Sequence, residues 1–255
     1  MVATFRYVLI TAVRDRMIIA LILALIVAVS GCMIVAGSAL AEQNAFGVSF
    51  SSEACRLIVS LGVITFVCFH IRRMYETREI EAILARPISR ASFVLAYFVA
   101  YAAIAALLAL VASGIIGMAF AVTLRGLVDW GISLALESMI VVALSLFAAM
   151  ALESATAAVI AALGFYVLAR MASSLRFIVE THSATFESTA VNQVLRWIVE
   201  VIVLVLPRID LFGQSRWLVY GPGGDWGVAT LSLQVVIFVP LILAATTRDL
   251  YVRRF

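Results

Sequence analysis

Apolar residues fall into six long runs, at 17–36, about 55–71, 93–122, 130–152, 155–172 and 226–246, separated by short polar links. A helix needs about 20 apolar residues to cross a hydrocarbon core of about 30 Å. The pattern therefore predicts an all-α polytopic membrane protein with six transmembrane helices. The run 93–122 exceeds that length, so its helix is expected to tilt or to extend past the bilayer. A seventh apolar stretch, 190–206, is short and carries Arg196 and Glu200. Each charge would cost about 2.5–3.5 kcal/mol at a bilayer centre, although the pair sits at i,i+4 on one helix face. That stretch reads as a re-entrant or interfacial helix within an outer segment, 173–225. Before the first span, Phe5, Val8, Leu9, Ala12 and Val13 form an apolar stripe with Arg6, Arg14 and Arg16 elsewhere. Such a basic amphipathic helix over 1–16 is expected to lie in the membrane interface.

Composition agrees. Of 255 residues, 65% are hydrophobic and 13% charged, against about half and about a quarter in soluble domains. A soluble domain, a fibre and a nucleic-acid binder are excluded. Cys32, Cys55 and Cys68 all sit in apolar runs, which leaves no disulfide scaffold or cysteine zinc motif. His70 and His182 are too far apart for a helical metal pair.

Charge sets the expected orientation. All 18 basic residues are arginine, with no lysine. Arg6, Arg14, Arg16, Arg72, Arg73, Arg78, Arg86, Arg90, Arg248, Arg253 and Arg254 gather on one side. Six spans and the positive-inside rule put both termini in the cytoplasm. Trp130, Trp217 and Trp226 are then expected as aromatic anchors near the outer interface. Val29-Ser30-Gly31-Cys32 and Ala39-Leu40-Ala41 resemble signal-cleavage boxes. The apolar run passes through Cys32 and Asp15 interrupts the positive leader, so the first span is expected to stay uncleaved.

The link from Arg72 to Arg90 carries the most specific signal. Ile80, Ile83 and Leu84 recur at i, i+3, i+4, with Glu76, Arg78, Glu79, Glu81 and Arg86 around them. This predicts a short amphipathic helix over 76–86 presenting an apolar ridge and charges to the cytoplasm. Pro87 stops it, and Ser89 is placed to cap the third span. The run Glu79, Glu81, Ile83, Leu84, Arg86, Pro87, Ser89 and Arg90 resembles the first cytoplasmic loop of type-2 ATP-binding-cassette (ABC) exporter permeases. The N-terminal interfacial helix, the six spans and the broken apolar segment ending Leu206-Pro207-Arg208-Ile209-Asp210-Leu211-Phe212 resemble that family too.

The resemblance implies a permease subunit that moves an unidentified substrate outward across a bacterial plasma membrane; the apolar spans and few internal charges favour an amphipathic or lipid-like cargo over a free ion. It implies that Glu76, Arg78, Glu79, Ile80, Glu81, Ile83, Leu84, Arg86 and Pro87 dock on a separate cytoplasmic ABC ATPase subunit, and that a second permease copy completes the pathway. The chain lacks a phosphate-binding G-x-x-x-x-G-K-[ST] loop and has no lysine for one. ATP and magnesium would thus belong to the partner, with no cofactor in this chain and no enzymatic activity of its own. The alternative is a membrane assembly or scaffold protein that transports nothing.

Ionisable residues inside spans are functional candidates by default. Glu137 and Arg56 are the candidate pathway residues. Glu137 alternatively snorkels or pairs with an outer arginine, and Arg56 with Glu53 alternatively anchors the outer start of span two. Arg170 is expected to snorkel. Glu153 either faces the ATPase or is a solvated helix end, and His70 reads as structural. Gly31, Gly62, Gly114, Gly117 and Gly164 are expected to let helices approach closely.

Overall fold

Inside hydrocarbon a backbone has no hydrogen-bond partner but itself, so long apolar runs fold as helices. The computed structural model describes residues 16–38, 42–80, 89–172, 174, 197, 206–221 and 227–252. Its helices are α1 (Met17–Gly37), α2 (Gln43–Glu76), α3 (Arg90–Ala119), α4 (Leu124–Ala151) and α5 (Ala155–Arg170). A 3-10 turn (Ile209–Phe212), α6 (Arg216–Tyr220) and α7 (Val228–Val252) follow. There is no strand among the described residues. The protein is an all-α polytopic membrane protein. Helices α1, α2, α3, α4 and α7 are each long and apolar enough to cross a membrane. Helix α5 is apolar but has 16 residues, about 24 Å.

Helix α4 is the axis of the bundle. Its residues Ile140–Leu146 are buried on every side, as expected of a helix that is apolar all round. It packs against α2, α3, α5, α6 and α7. Helices α1 and α7 bury single stripes, Leu25 with Val29 and Leu231 with Val235 and Val239, and expose the rest of their apolar surface. Local capping marks two starts. Ser89 Oγ accepts a hydrogen bond from the Ser92 amide at 3.2 Å, as expected, and Ser154 Oγ caps α5 through the Ala157 amide.

The arginine-rich end gathers the starts of α1, α3 and α5 and the ends of α2, α4 and α7. Arg72 donates to the Glu153 carbonyl and Arg90 to the Leu250 carbonyl, tying those ends together. The far end is closed by contacts between the helix ends and the links that follow them. Asn44 Nδ2 donates to the Ala121 carbonyl at 2.9 Å, and the Thr123 amide to the Leu218 carbonyl at 3.3 Å. Gly126 of α4 lies so close to the Trp217 carbonyl that a Cβ there would overlap it.

Several expectations need correction. Helix α2 begins at Gln43, not near Cys55; its 34 residues run about 51 Å. Serines 51 and 52 are buried there, so packing carries the helix through a stretch that reads as polar. Trp130 and Trp217 are not interfacial anchors, because both are buried in the bundle. Glu76 is still the last residue of α2, so the link helix cannot start there. Of the five span glycines, Gly62 sits under Leu21 and Gly117 under Leu127, while Gly31, Gly114 and Gly164 face open space. The expected interfacial helix 1–16, apart from Arg16, lies outside the described residues. So does most of the stretch 190–206.

Candidate functional site

Two regions of the fold hold the residues singled out in the sequence. The first is the link between α2 and α3. Helix α2 ends at Glu76, Thr77 and Arg78 turn, and helical backbone resumes at Glu79 and Ile80. Arg78 makes the break with φ 56°, a left-handed conformation that a side chain with a Cβ adopts at a cost of about 1–2 kcal/mol. Glu76 and Arg78 are exposed and Glu79 is half-buried. Ile80 departs from the expected ridge: it is fully buried and belongs to the core. It fastens the start of the link to the bundle instead of presenting an apolar surface. Glu81, Ile83, Leu84, Arg86 and Pro87 lie outside the described residues.

The second region is a layer of charge inside the bundle. Arg56 and Glu137 are both fully buried, and Arg56 Nη1 donates to Glu137 Oε2. The other carboxylate oxygen, Glu137 Oε1, accepts from Tyr166 Oη at 3.1 Å and from Arg170 Nη1 at 3.4 Å. Arg170 Nη2 donates to Glu53 Oε2. Two cations and two anions thus alternate across α2, α4 and α5, and their formal charges cancel. Arg56 also lies over the Trp130 ring, with its guanidinium carbon 5.3 Å from the centroid. Its Nε and Nη2 are buried without a hydrogen-bond partner, as is Trp130 Nε1.

The depth of this layer follows from helix geometry. Arg56 precedes Ile71, Glu137 precedes Ala151 and Arg170 follows Ala155 by 14 or 15 residues each. At 1.5 Å per residue all three lie about 21–23 Å from the arginine-rich end, in the far third of a core of about 30 Å. The 3-10 turn and the residue after it roof them. Ser133 Oγ donates to the Phe212 carbonyl at 2.7 Å. A Cβ at Gly213 would sit 3.4 Å from Arg170 Nη2 and 3.6 Å from Glu53 Oε1.

Arg56 is therefore no interfacial anchor, and Arg170 does not simply snorkel; each is held by a carboxylate from another helix. Glu137 pairs with arginines of α2 and α5. Sequence reading missed the grouping of Glu53, Arg56, Tyr166 and Arg170 with Glu137. A signal was present: Glu53 and Arg56 are i,i+3 on α2, and Tyr166 and Arg170 are i,i+4 on α5, so each pair shares a face.

Near the arginine-rich end, His70 Nδ1 and Tyr101 Oη lie 2.8 Å apart, joining α2 to α3. The His70 ring stacks on Phe66, with the centroids 5.5 Å apart. Glu153 is exposed in the turn between α4 and α5. Among the described residues no group of three or more His, Cys, Asp or Glu side chains is placed to hold a metal ion. Comparison with protein-family models and with curated proteins gives no match.

Proposed function

We propose that this chain is the membrane-spanning permease subunit of an ABC exporter, pairing with a second copy and driven by a separate cytoplasmic ATPase. The observation that carries the reading is the α2–α3 link. A helix about 51 Å long outruns the bilayer, breaks sharply at Thr77 and Arg78, and restarts before Ser89 caps the next span. The residues around that break are those that resemble the family's ATPase-docking loop. Exposed Glu76 and Arg78 offer charges to a partner, while buried Ile80 ties the link to the core. A push on the link is thereby passed to α2 and α3. In this reading the arginine-rich end faces the cytoplasm.

Arg56, Glu137 and Arg170 then join α2, α4 and α5 at the far end of the pathway, where tilting of α2 would have to break or carry the Arg56–Glu137 pair. An amphipathic or lipid-like cargo suits a bundle whose described internal charges are paired.

The test is purification of the tagged full chain from its native membrane. A cassette ATPase identified by its own sequence should copurify, with ATP turnover stimulated by the chain. Charge reversal at Glu79 or Glu81 should lower its recovery while leaving membrane insertion intact. Recovery undiminished by both reversals would sink the docking assignment. Absence of any ATPase would leave the scaffold reading in its place.

A further inference from the structure

At the arginine-rich end, the starts of α1 and α5 and the last turns of α2 leave a cleft of about 410 Å3. That volume is in the range of small-molecule sites. Its wall changes character along α2. Phe66 and Phe69 line one part together with Met17 of α1, and Arg72 and Arg73 line another beside Ala155, the first residue of α5. From Phe66 to Glu76 the wall runs about 15 Å along the helix axis. The cleft thus passes from hydrocarbon to a charged surface within one element. Phe69 is 51% exposed, so its ring offers apolar contact directly beside the arginines.

The charges favour an anion. Two guanidinium groups stand in the lining against one carboxylate, Glu76. Arg72 is positioned by its bond to the Glu153 carbonyl and by the Tyr75 ring, 5.0 Å from its guanidinium carbon. Its Nε is nevertheless buried without a partner, and a buried donor left unmet is costly. Helix α5 has no acidic residue in its first turn, so the positive end of its dipole adds to the arginines. Exposed Glu153 is the nearby acid in the turn before it. The planar, forked donors of arginine match phosphate oxygens, and His70, held by Tyr101, completes the wall.

We infer that this cleft binds an anionic phospholipid. The phosphate sits at Arg72 and Arg73 near the start of α5, and the acyl chain lies along Phe69 and Phe66. Basic pockets between transmembrane helices bind such headgroups by charge and hydrogen bonding. The site does not depend on the chain being a transporter.

The test is native mass spectrometry of the delipidated full chain given equal amounts of dioleoyl phosphatidylglycerol and dioleoyl phosphatidylcholine. Phosphatidylglycerol should be retained over phosphatidylcholine by fivefold or more. Arg73→Gln, at an exposed position, and Arg72→Gln should each cut that preference by roughly fivefold, the effect of one basic residue at an anionic headgroup. Millimolar inorganic phosphate should leave the lipid in place. Equal retention of the two lipids, a preference unchanged in both variants, or displacement by inorganic phosphate would each overturn the assignment.

Discussion

Glu137→Gln isolates the energetics of the buried charge layer. The substitution keeps the volume and one acceptor oxygen but removes the negative charge. Arg56 then remains fully buried, and its one hydrogen bond runs to that position. Breaking a buried pair from one side costs about 3–5 kcal/mol. Contact with the Trp130 ring is made in the parent and in the variant alike, so it cancels from the difference. The amide oxygen still accepts a hydrogen bond, so the expected loss is about 2–3 kcal/mol. The double variant Arg56→Met with Glu137→Met removes both charges and fills the space with apolar atoms. Arg170 keeps Glu53, and replacing a whole buried pair is often neutral; the double variant should therefore lie within about 1 kcal/mol of the parent. Glu53→Gln should also cost no more than about 1 kcal/mol, because Arg170 and Glu53 are 20% and 39% exposed. The assay is the unfolding free energy in bicelles, read through SDS titration of the parent and the variants. Strict additivity of the two Met substitutions, or a loss below about 1 kcal/mol in Glu137→Gln, would refute the view that Arg56 depends on one buried carboxylate.

Two further outcomes follow from local geometry. Ser89→Ala should lower stability by about 1 kcal/mol by removing the acceptor for the Ser92 amide, measured by the same titration, while Ser89→Asn should restore most of it. Gly126→Val should separate α4 from the Trp217 carbonyl, since a side chain has no room there; the emission of buried Trp217 should shift to the red and the segment 206–221 should become more open to protease. Unchanged emission and cleavage would show that the two backbones are not in contact.

How far the chain could be read in advance differed from place to place. The apolar runs marked the long helices because hydrophobicity and the need to satisfy the backbone act residue by residue. Ser89 was legible as a cap for the same reason, since its partner is three residues away. Glu137 stood out as a charge in an apolar run, but its partners did not, because Arg56 and Arg170 reach it from other helices. Ile80 had the spacing of an outward ridge, yet burial depends on which surface the turn at Arg78 points toward. Trp130 had the placement of an interfacial anchor and instead lies beneath Arg56.

Hydropathy and charge along the chain were sufficient to make this an all-α membrane protein and to sort its arginines mostly to one end. Both properties sum over neighbours in sequence and need no knowledge of packing. The start of α2 at Gln43, the joining of Glu53, Arg56, Glu137, Tyr166 and Arg170 in one layer, and the cleft beside Arg72 came only from the assembled bundle. These depend on which helix faces meet and at what depth, and the energy that selects a face comes from close packing, hydrogen bonds and paired charge between segments up to 160 residues apart.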